Sequence, residues 1–560
     1  MRKIISSLLA ILFLASCSDF LTEDNKSGIT NEEFYTTEVG FTTLMTASYN
    51  SLRTVYGSTP WLQCAGTDMY QRERGTGNKA IMEYEQLYAT DSYVKTFYQN
   101  VYSAIQVTNM ALYYIDLPAV TDVKRATWKA ELTFLRAYYH FILVEQFGGI
   151  AISKEPTLAP RMNMPRSTLA ESYAFIISEM EAALPNLATE VAKVNKTVAN
   201  HYLAKVYLTR GWDLKQSADF DKAKTYATAA IAGKGITIPF ETLWSPTNEN
   251  NDEVIFSVQY DAKSVASTTS GNNQQSLFGP YLGGSELKHK YMSTLLYPSW
   301  NLHNFYTEND ARYDATFMLT IYDQYFYYYD STKDKNKMII RAYYPRFWGK
   351  EFTKADEDAW KAARPAQIAT NTKIYPFKYD EVAYRAAYEL DFCTPVIKKF
   401  DSPATSAIFD QNCSTRDIVL ARRAETYFLF AEACIGLNDL ANAELNVQKV
   451  LDRPGNAKDG KKLTPNTSIA AAGNQSAALN AYLIESAKEF AGEYLRWPEL
   501  RRTGKLKEFC GKYNYDIKKI GVDVAFKGLD GQDKIYRPIP QDAIDLNEAK
   551  IEQNPGYVAK

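Results

Sequence analysis

Charged residues recur inside stretches of helical spacing: Glu131 and Arg136, Glu425 and Glu432, Glu493 and Arg496. Two carboxylates held a fixed distance apart can serve as general acid and base at a glycosidic bond. Positions along a sequence do not set a distance in space, however, and ion pairs between packed helices account for the same residues. His140 and His201 fall in similar segments, where a hydrogen-bonded packing role is the expectation. No HExxH, GxSxG or phosphate-loop pattern occurs in the chain.

A second chemistry needs neither metal nor nucleophile. Sugars present apolar C–H faces rimmed by hydroxyls, so flat aromatic rings beside Asp, Asn, Gln or Arg can hold them. Two stretches supply that mixture. Residues 61–78 contain Trp61, Asp68, Tyr70, Gln71, Arg72, Arg74 and Asn78 in a glycine-interrupted loop between helical segments. Residues 297–306 contain Trp300, Asn301, His303 and Asn304, with Tyr344 and Trp348 further on. Packing of a loop onto a helical frame competes as a reading of Trp61 and of Trp300.

The elements that position these residues follow from composition and pattern. The chain has 560 residues with 63 Lys+Arg against 65 Asp+Glu, a formal charge of −2. That balance argues against a protein built to grip a polyanion, so no nucleic-acid partner is expected. With 46% hydrophobic residues the chain can fill a large core. The 41 tyrosines outnumber the 27 phenylalanines, which places much aromatic area at half-wet surfaces. Cys17, Cys64, Cys393, Cys413, Cys434 and Cys510 form no CxxC pair, and with only four histidines neither a metal site nor a cofactor is expected.

Arg2 and Lys3 precede an apolar run at residues 4–15, too short for a transmembrane helix, and then Leu14-Ala15-Ser16-Cys17. Residues 1–16 read as a secretory signal, and small residues before a cysteine look like the lipobox of bacterial lipoproteins. Cleavage would leave Cys17 as a lipidated N-terminus, with residues 17–40 as its tether. Several acyl chains hold a soluble body on a membrane durably. Setting Cys17 aside leaves an odd number of cysteines, so at least one free thiol is expected.

From Phe41 onward the spacing is helical. Trp128, Leu132, Leu135, Tyr139 and Ile142 share one stripe, and Gly148-Gly149 stops that helix. Residues 199–231 read as two helices packed through small side chains. Residues 423–453 match the tetratricopeptide template, with Tyr427, Phe430, Ala431 and Cys434 in the first helix and Ala443, Val447 and Val450 in the second. Ala431 and Ala443 are 12 residues apart, as that repeat requires, whereas Ala204 and Ala223 are 19 apart and predict an insertion between their helices. Leu483, Ala487, Phe490, Tyr494 and Trp497 predict a C-terminal helix ending at Pro498. The expected fold class is mainly α: a tetratricopeptide-like superhelix whose frame (41–240 and 416–510) carries a loop-rich, mixed insert at 241–415 and a C-terminal segment at 511–560.

Several stretches together resemble one family: Cys17-Ser-Asp-Phe-Leu21; Ala130-Glu-Leu-Thr-Phe-Leu-Arg-Ala137 running on to Gln146-Phe-Gly-Gly149; Ala204-Lys-Val-Tyr-Leu208; Ala424-Glu-Thr-Tyr-Phe-Leu-Phe-Ala-Glu-Ala433; Glu493 with Arg496-Trp497 and Leu500-Arg-Arg502; and Ile539-Pro540 with Gln553-Asn-Pro-Gly-Tyr557. Their order and coverage are similar to the SusD/RagB-like outer-membrane nutrient-binding lipoproteins of Bacteroidetes-type bacteria. One departure is Glu485-Ser486, where family members often carry Glu-Arg, which removes an expected ion pair.

The resemblance implies four tetratricopeptide-like helix pairs and a variable half bearing the ligand site. It further implies a non-catalytic cell-surface protein, lipid-anchored in the outer membrane through Cys17, that captures glycan and delivers it to a SusC-like TonB-dependent transporter. By region rather than by motif, the glycan-binding candidates are Trp61, Asp68, Tyr70, Arg72, Arg74, Asn78, Trp300, Asn301, Tyr344 and Trp348. The tyrosine run around Tyr328 is expected to pack or to contact the transporter. A surface glycoside hydrolase, or a member handling peptides or another nutrient, are the alternatives.

Overall fold

Five long helices of the frame's first half begin at a residue whose side chain accepts a hydrogen bond from the first turn. Thr37 accepts from the amide of Gly40, Asp91 from Val94, Thr121 from Lys124 and Asn195 from Val198, while Thr168 and Glu171 form a reciprocal capping box. The computed structural model describes residues 31–57, 60–72, 78–189, 193–261, 263, 271–279, 295–391, 394–403 and 414–558. Cys17, Arg74, Cys393, Cys413, the expected signal and residues 17–30 of the expected tether lie outside the described residues.

The principal elements, in chain order, are α1 (Glu38–Tyr56), β1 (Tyr70–Arg72), α2 (Ser92–Tyr113), α3 (Asp122–Phe147), α4 (Leu169–Ala183), α5 (Lys196–Asp213), α6 (Ala218–Ile231), β2 (Val254–Val258), β3 (Leu296–Pro298), α7 (Trp300–Phe305), β4 (Thr320–Tyr322), β5 (Ile340–Tyr343), α8 (Lys354–Ala362), β6 (Lys373–Ile374), α9 (Glu381–Asp391), β7 (Ile418–Arg422), α10 (Arg423–Gly436), α11 (Leu440–Leu451), α12 (Gln475–Glu489) and α13 (Arg496–Arg502). Four helix pairs, α1/α2, α3/α4, α5/α6 and α10/α11, stack in series through contacts of α2 with α3, α4 with α5 and α6 with α10. This is the tetratricopeptide-like, mainly α fold that the sequence predicts. Helix α3 ends where expected, at Gly148, whose φ of +75° suits a residue without a Cβ.

Two expectations are corrected. No insertion separates α5 from α6, because only residues 214–217 lie between them. The small residue at the crossing is Gly211, not Ala204: a Cβ there would lie 2.8 Å from the Phe220 ring, and one on Gly436 of α10 would lie 2.7 Å from the same ring. Phe220 thus wedges between two glycines, and Gly211 stands the required 12 residues before Ala223. The C-terminal helix is also broken. Helix α12 stops at Glu489, the chain turns through Gly492 at φ +85°, and Pro498 lies in the first turn of α13, where a missing N–H costs nothing.

The insert is mixed, as expected, with short strands and short helices among its loops. Strands β2 and β7 pair antiparallel and bring its two ends together, β4, β5 and β6 form a small sheet, and α7, α8 and α9 are short helices. A second small core of Met318, Ile321, Tyr325, Ala342, Tyr344 and Val396 fixes this region. The tyrosine run packs onto it: Phe326, Tyr328 and Tyr329 cover that core, and Tyr325 and Tyr329 donate to Asp401 at 2.8 and 2.5 Å. Among the described residues no helix is long and apolar enough to cross a membrane.

Candidate functional site

The two aromatic stretches meet in the backbone. Strand β1 pairs antiparallel with β3, setting Tyr70 opposite Pro298 and Arg72 opposite Leu296. Helix α9 covers this pair, with the hydroxyl of Tyr384 donating to Pro298 O at 2.8 Å and that of Tyr388 to Arg72 O at 3.3 Å.

That cover turns most of the first stretch into structure, which corrects its expected role. Trp61 is only 4% exposed and packs on Tyr93 with ring centres 5.0 Å apart. Asp68 is fully buried against Arg496, the hydroxyl of buried Tyr70 accepts from Gly492 N at 2.6 Å, and Asn78 donates to Leu295 O at 3.3 Å. None of these four presents a surface to a ligand. Arg72 is part-exposed and pairs with Glu83 at 2.8 Å.

The second stretch opens outward. Half-buried Trp300 donates from Nε1 to Lys378 O at 2.9 Å, which fixes its ring beside the segment that follows β6. Asn301 donates from its amide nitrogen to Glu381 (3.0 Å) and Tyr513 O (2.8 Å), which positions α7. Tyr344 is 7% exposed and stacks on part-exposed Tyr375 at 5.5 Å. Half-buried Trp348 flanks Arg346, whose guanidinium carbon lies 3.9 Å from the Trp348 ring centre, 4.2 Å from that of Phe377 and 5.0 Å from that of Tyr313.

These residues form a recess lined by Tyr313, Tyr344, Arg346, Tyr375, Phe377 and Lys378 together with residues of α9. Its interior holds about 10 Å³, room for one water and too little for a sugar ring; Trp348 adjoins it through Arg346 and Trp300 through the Lys378 carbonyl. Arg346 is held by donating to His303 O at 2.7 Å and to Asn304 Oδ1 at 2.8 Å. Burial and the neighbouring guanidinium hold His303 well below the ordinary imidazole range, so it stays neutral. Sequence reasoning missed Arg346, Tyr375, Phe377 and Lys378. The signal was the alternation of Arg346 and Trp348 past the end of β5, a period-2 pattern that sends both side chains to one side.

The helix carboxylates singled out in the sequence, Glu131, Glu425, Glu432 and Glu493, each have a partner. Glu131 accepts from Tyr49, Glu425 pairs with Lys205 and His201, Glu432 with Arg502, and Glu493 with Arg422 and Lys399. Arg136 pairs with Glu179 and Arg496 with Asp68 and Glu499. His140 is buried, bonded to Arg136 O and Ser153 N, and burial lowers it to about 4. Glu485 pairs with Lys488 while Ser486 donates to Glu499, so the departure at these positions is locally satisfied. A roomier recess of about 390 Å³ lies between α1, α3 and β2, where Trp128 stacks on Phe41 at 5.2 Å.

Comparison with known proteins matches residues 19–208 to a family described as "Starch-binding associating with outer membrane" and residues 252–557 to the SusD family. A SusD-like protein of Bacteroides ovatus is 24% identical over 274 residues, 46% of this chain and 50% of that one. The chain spans about half the length of the curated relatives it matches. A SusD homologue from Bacteroides thetaiotaomicron superposes with a TM-score of 0.69 at 19% identity, over 94% of this chain and 98% of that one. A laminarin-binding SusD-like protein superposes with a TM-score of 0.66 at 20% identity, over 93% and 100% of the two chains.

Proposed function

Since this chain belongs to the SusD family, we propose that it is a non-catalytic, lipid-anchored protein of the outer-membrane surface that captures glycan and delivers it to a SusC-like TonB-dependent transporter. The observation that carries the glycan reading is the aromatic mouth around Arg346, which joins flat rings to fixed polar groups in the variable insert. A laminarin-binding protein among the structural neighbours lends it weight. The engagement of the helix carboxylates in buried ion pairs supports capture without cleavage. The pattern ending in Cys17 and the outer-membrane description of the matched family support anchorage there, with the transporter as the expected partner.

The test is calorimetric titration of the purified protein with a panel of oligosaccharides, alongside an assay for released reducing ends. Binding without release supports capture. Release of reducing ends would make it a hydrolase, and silence toward every glycan with binding of peptides would move it to another nutrient.

A further inference from the structure

The charges at the aromatic mouth have one sign. Arg346 and Lys378 line the recess, and among the described residues no acidic one lines it. Arg346 meets two neutral acceptors, His303 O and Asn304 Oδ1, and three aromatic faces. Neither Arg346 nor Lys378 has a carboxylate partner among the described residues. Of the acidic groups in the flanking segments, Asp314 pairs with Lys458 at 2.7 Å and Glu381 holds Asn301 and Lys518, while Asp380 caps α9 by accepting from Ala383 N at 2.7 Å. His303 adds no charge.

A half-buried guanidinium with only neutral partners leaves most of its electrostatic attraction unspent, and a planar oxyanion can claim it through charge-assisted hydrogen bonds. Resting on the reading that this mouth binds a saccharide, we propose that the saccharide is acidic, with a carboxylate or sulfate oxyanion received by Arg346 and Lys378 while a sugar face lies on Trp348. A neutral glycan would bury these cations without compensation, which costs affinity. Discrimination against it follows from that cost.

The test uses the purified protein and three size-matched sets of oligosaccharides, neutral, uronate-bearing and sulfated, titrated at low and high salt. Acidic ligands should bind about tenfold or more tightly than neutral ones, and more weakly as salt rises. The uronate and sulfate arms identify which oxyanion is preferred. Lys378→Gln and Arg346→Gln should each weaken acidic ligands about tenfold and narrow their advantage over neutral ones, with Arg346→Lys retaining part of that advantage. Should Arg346→Gln fail to fold, Lys378→Gln still decides. Equal affinity for neutral and acidic sets, or variants that weaken both alike, overturns the acidic assignment and leaves glycan capture standing; binding of no saccharide overturns both.

Discussion

Asp68 accepts two hydrogen bonds from Arg496, at 2.9 and 2.6 Å, across a separation of 428 residues. Both side chains are buried, so removing the carboxylate leaves a guanidinium with Glu499 as its remaining ionic partner. Breaking a buried pair from one side costs about 3–5 kcal/mol. Asp68→Asn is expected to lower the urea-unfolding free energy by about 3 kcal/mol while the folded protein keeps its ligand affinity. A variant as stable as the parent would refute the structural role.

Trp61 belongs to the main core. Truncating a buried Trp to Ala costs about 3–5 kcal/mol. Trp61→Ala should therefore shift the melting temperature strongly without altering glycan affinity at temperatures where it is folded. Selective loss of binding with an unchanged melting curve would return Trp61 to the binding site.

Asp401 sets a pH dependence. Burial pushes its carboxyl up to about 7 despite the hydrogen bonds from Tyr329 and Tyr325, whereas the unfolded chain titrates it near pH ~3.9. Between those values the native state keeps a proton that the unfolded state has released, so this group's contribution destabilises the fold as pH rises from about 4 to about 7 and is level above. Asp417, raised to about 6 chiefly by burial, acts with the same sign. Urea unfolding at stepped pH should show Asp401→Asn gaining stability relative to the parent across that window. A difference independent of pH would show that Asp401 is ionised throughout.

Gly492 breaks the C-terminal helix at φ +85°, and a Cβ there would sit 2.6 Å from the Phe400 ring. Gly492→Ala combines backbone strain with a clash, expected to cost about 2 kcal/mol or more. Guanidinium unfolding reads this directly, and a neutral outcome would mean that the turn between α12 and α13 can reshape.

The frame was legible because helical periodicity is local: the stripe from Trp128 to Ile142 and the stop at Gly148 both fall where they read. The crossing at Gly211 was not, because glycine is a poor helix former and its value lies in Phe220, a neighbour only in the folded state. The break at Gly492 was hidden for a similar reason, since the apolar steps continue past it. The first aromatic stretch misled because the partners that bury it, Arg496 and α9, lie hundreds of residues away. Arg346 went unnoticed because its significance is relational: three rings from separate segments surround it, and among the described residues no carboxylate pairs with it.

The most direct test of glycan capture at the Arg346 mouth is calorimetric titration of parent, Trp348→Ala and Trp300→Ala proteins with a saccharide that binds the parent. Loss of a central aromatic contact should weaken binding about tenfold or more in Trp348→Ala, with a smaller loss in Trp300→Ala and no released reducing ends in any sample. If both variants bind as the parent does, the glycan is held elsewhere on the protein and the account of this site is wrong.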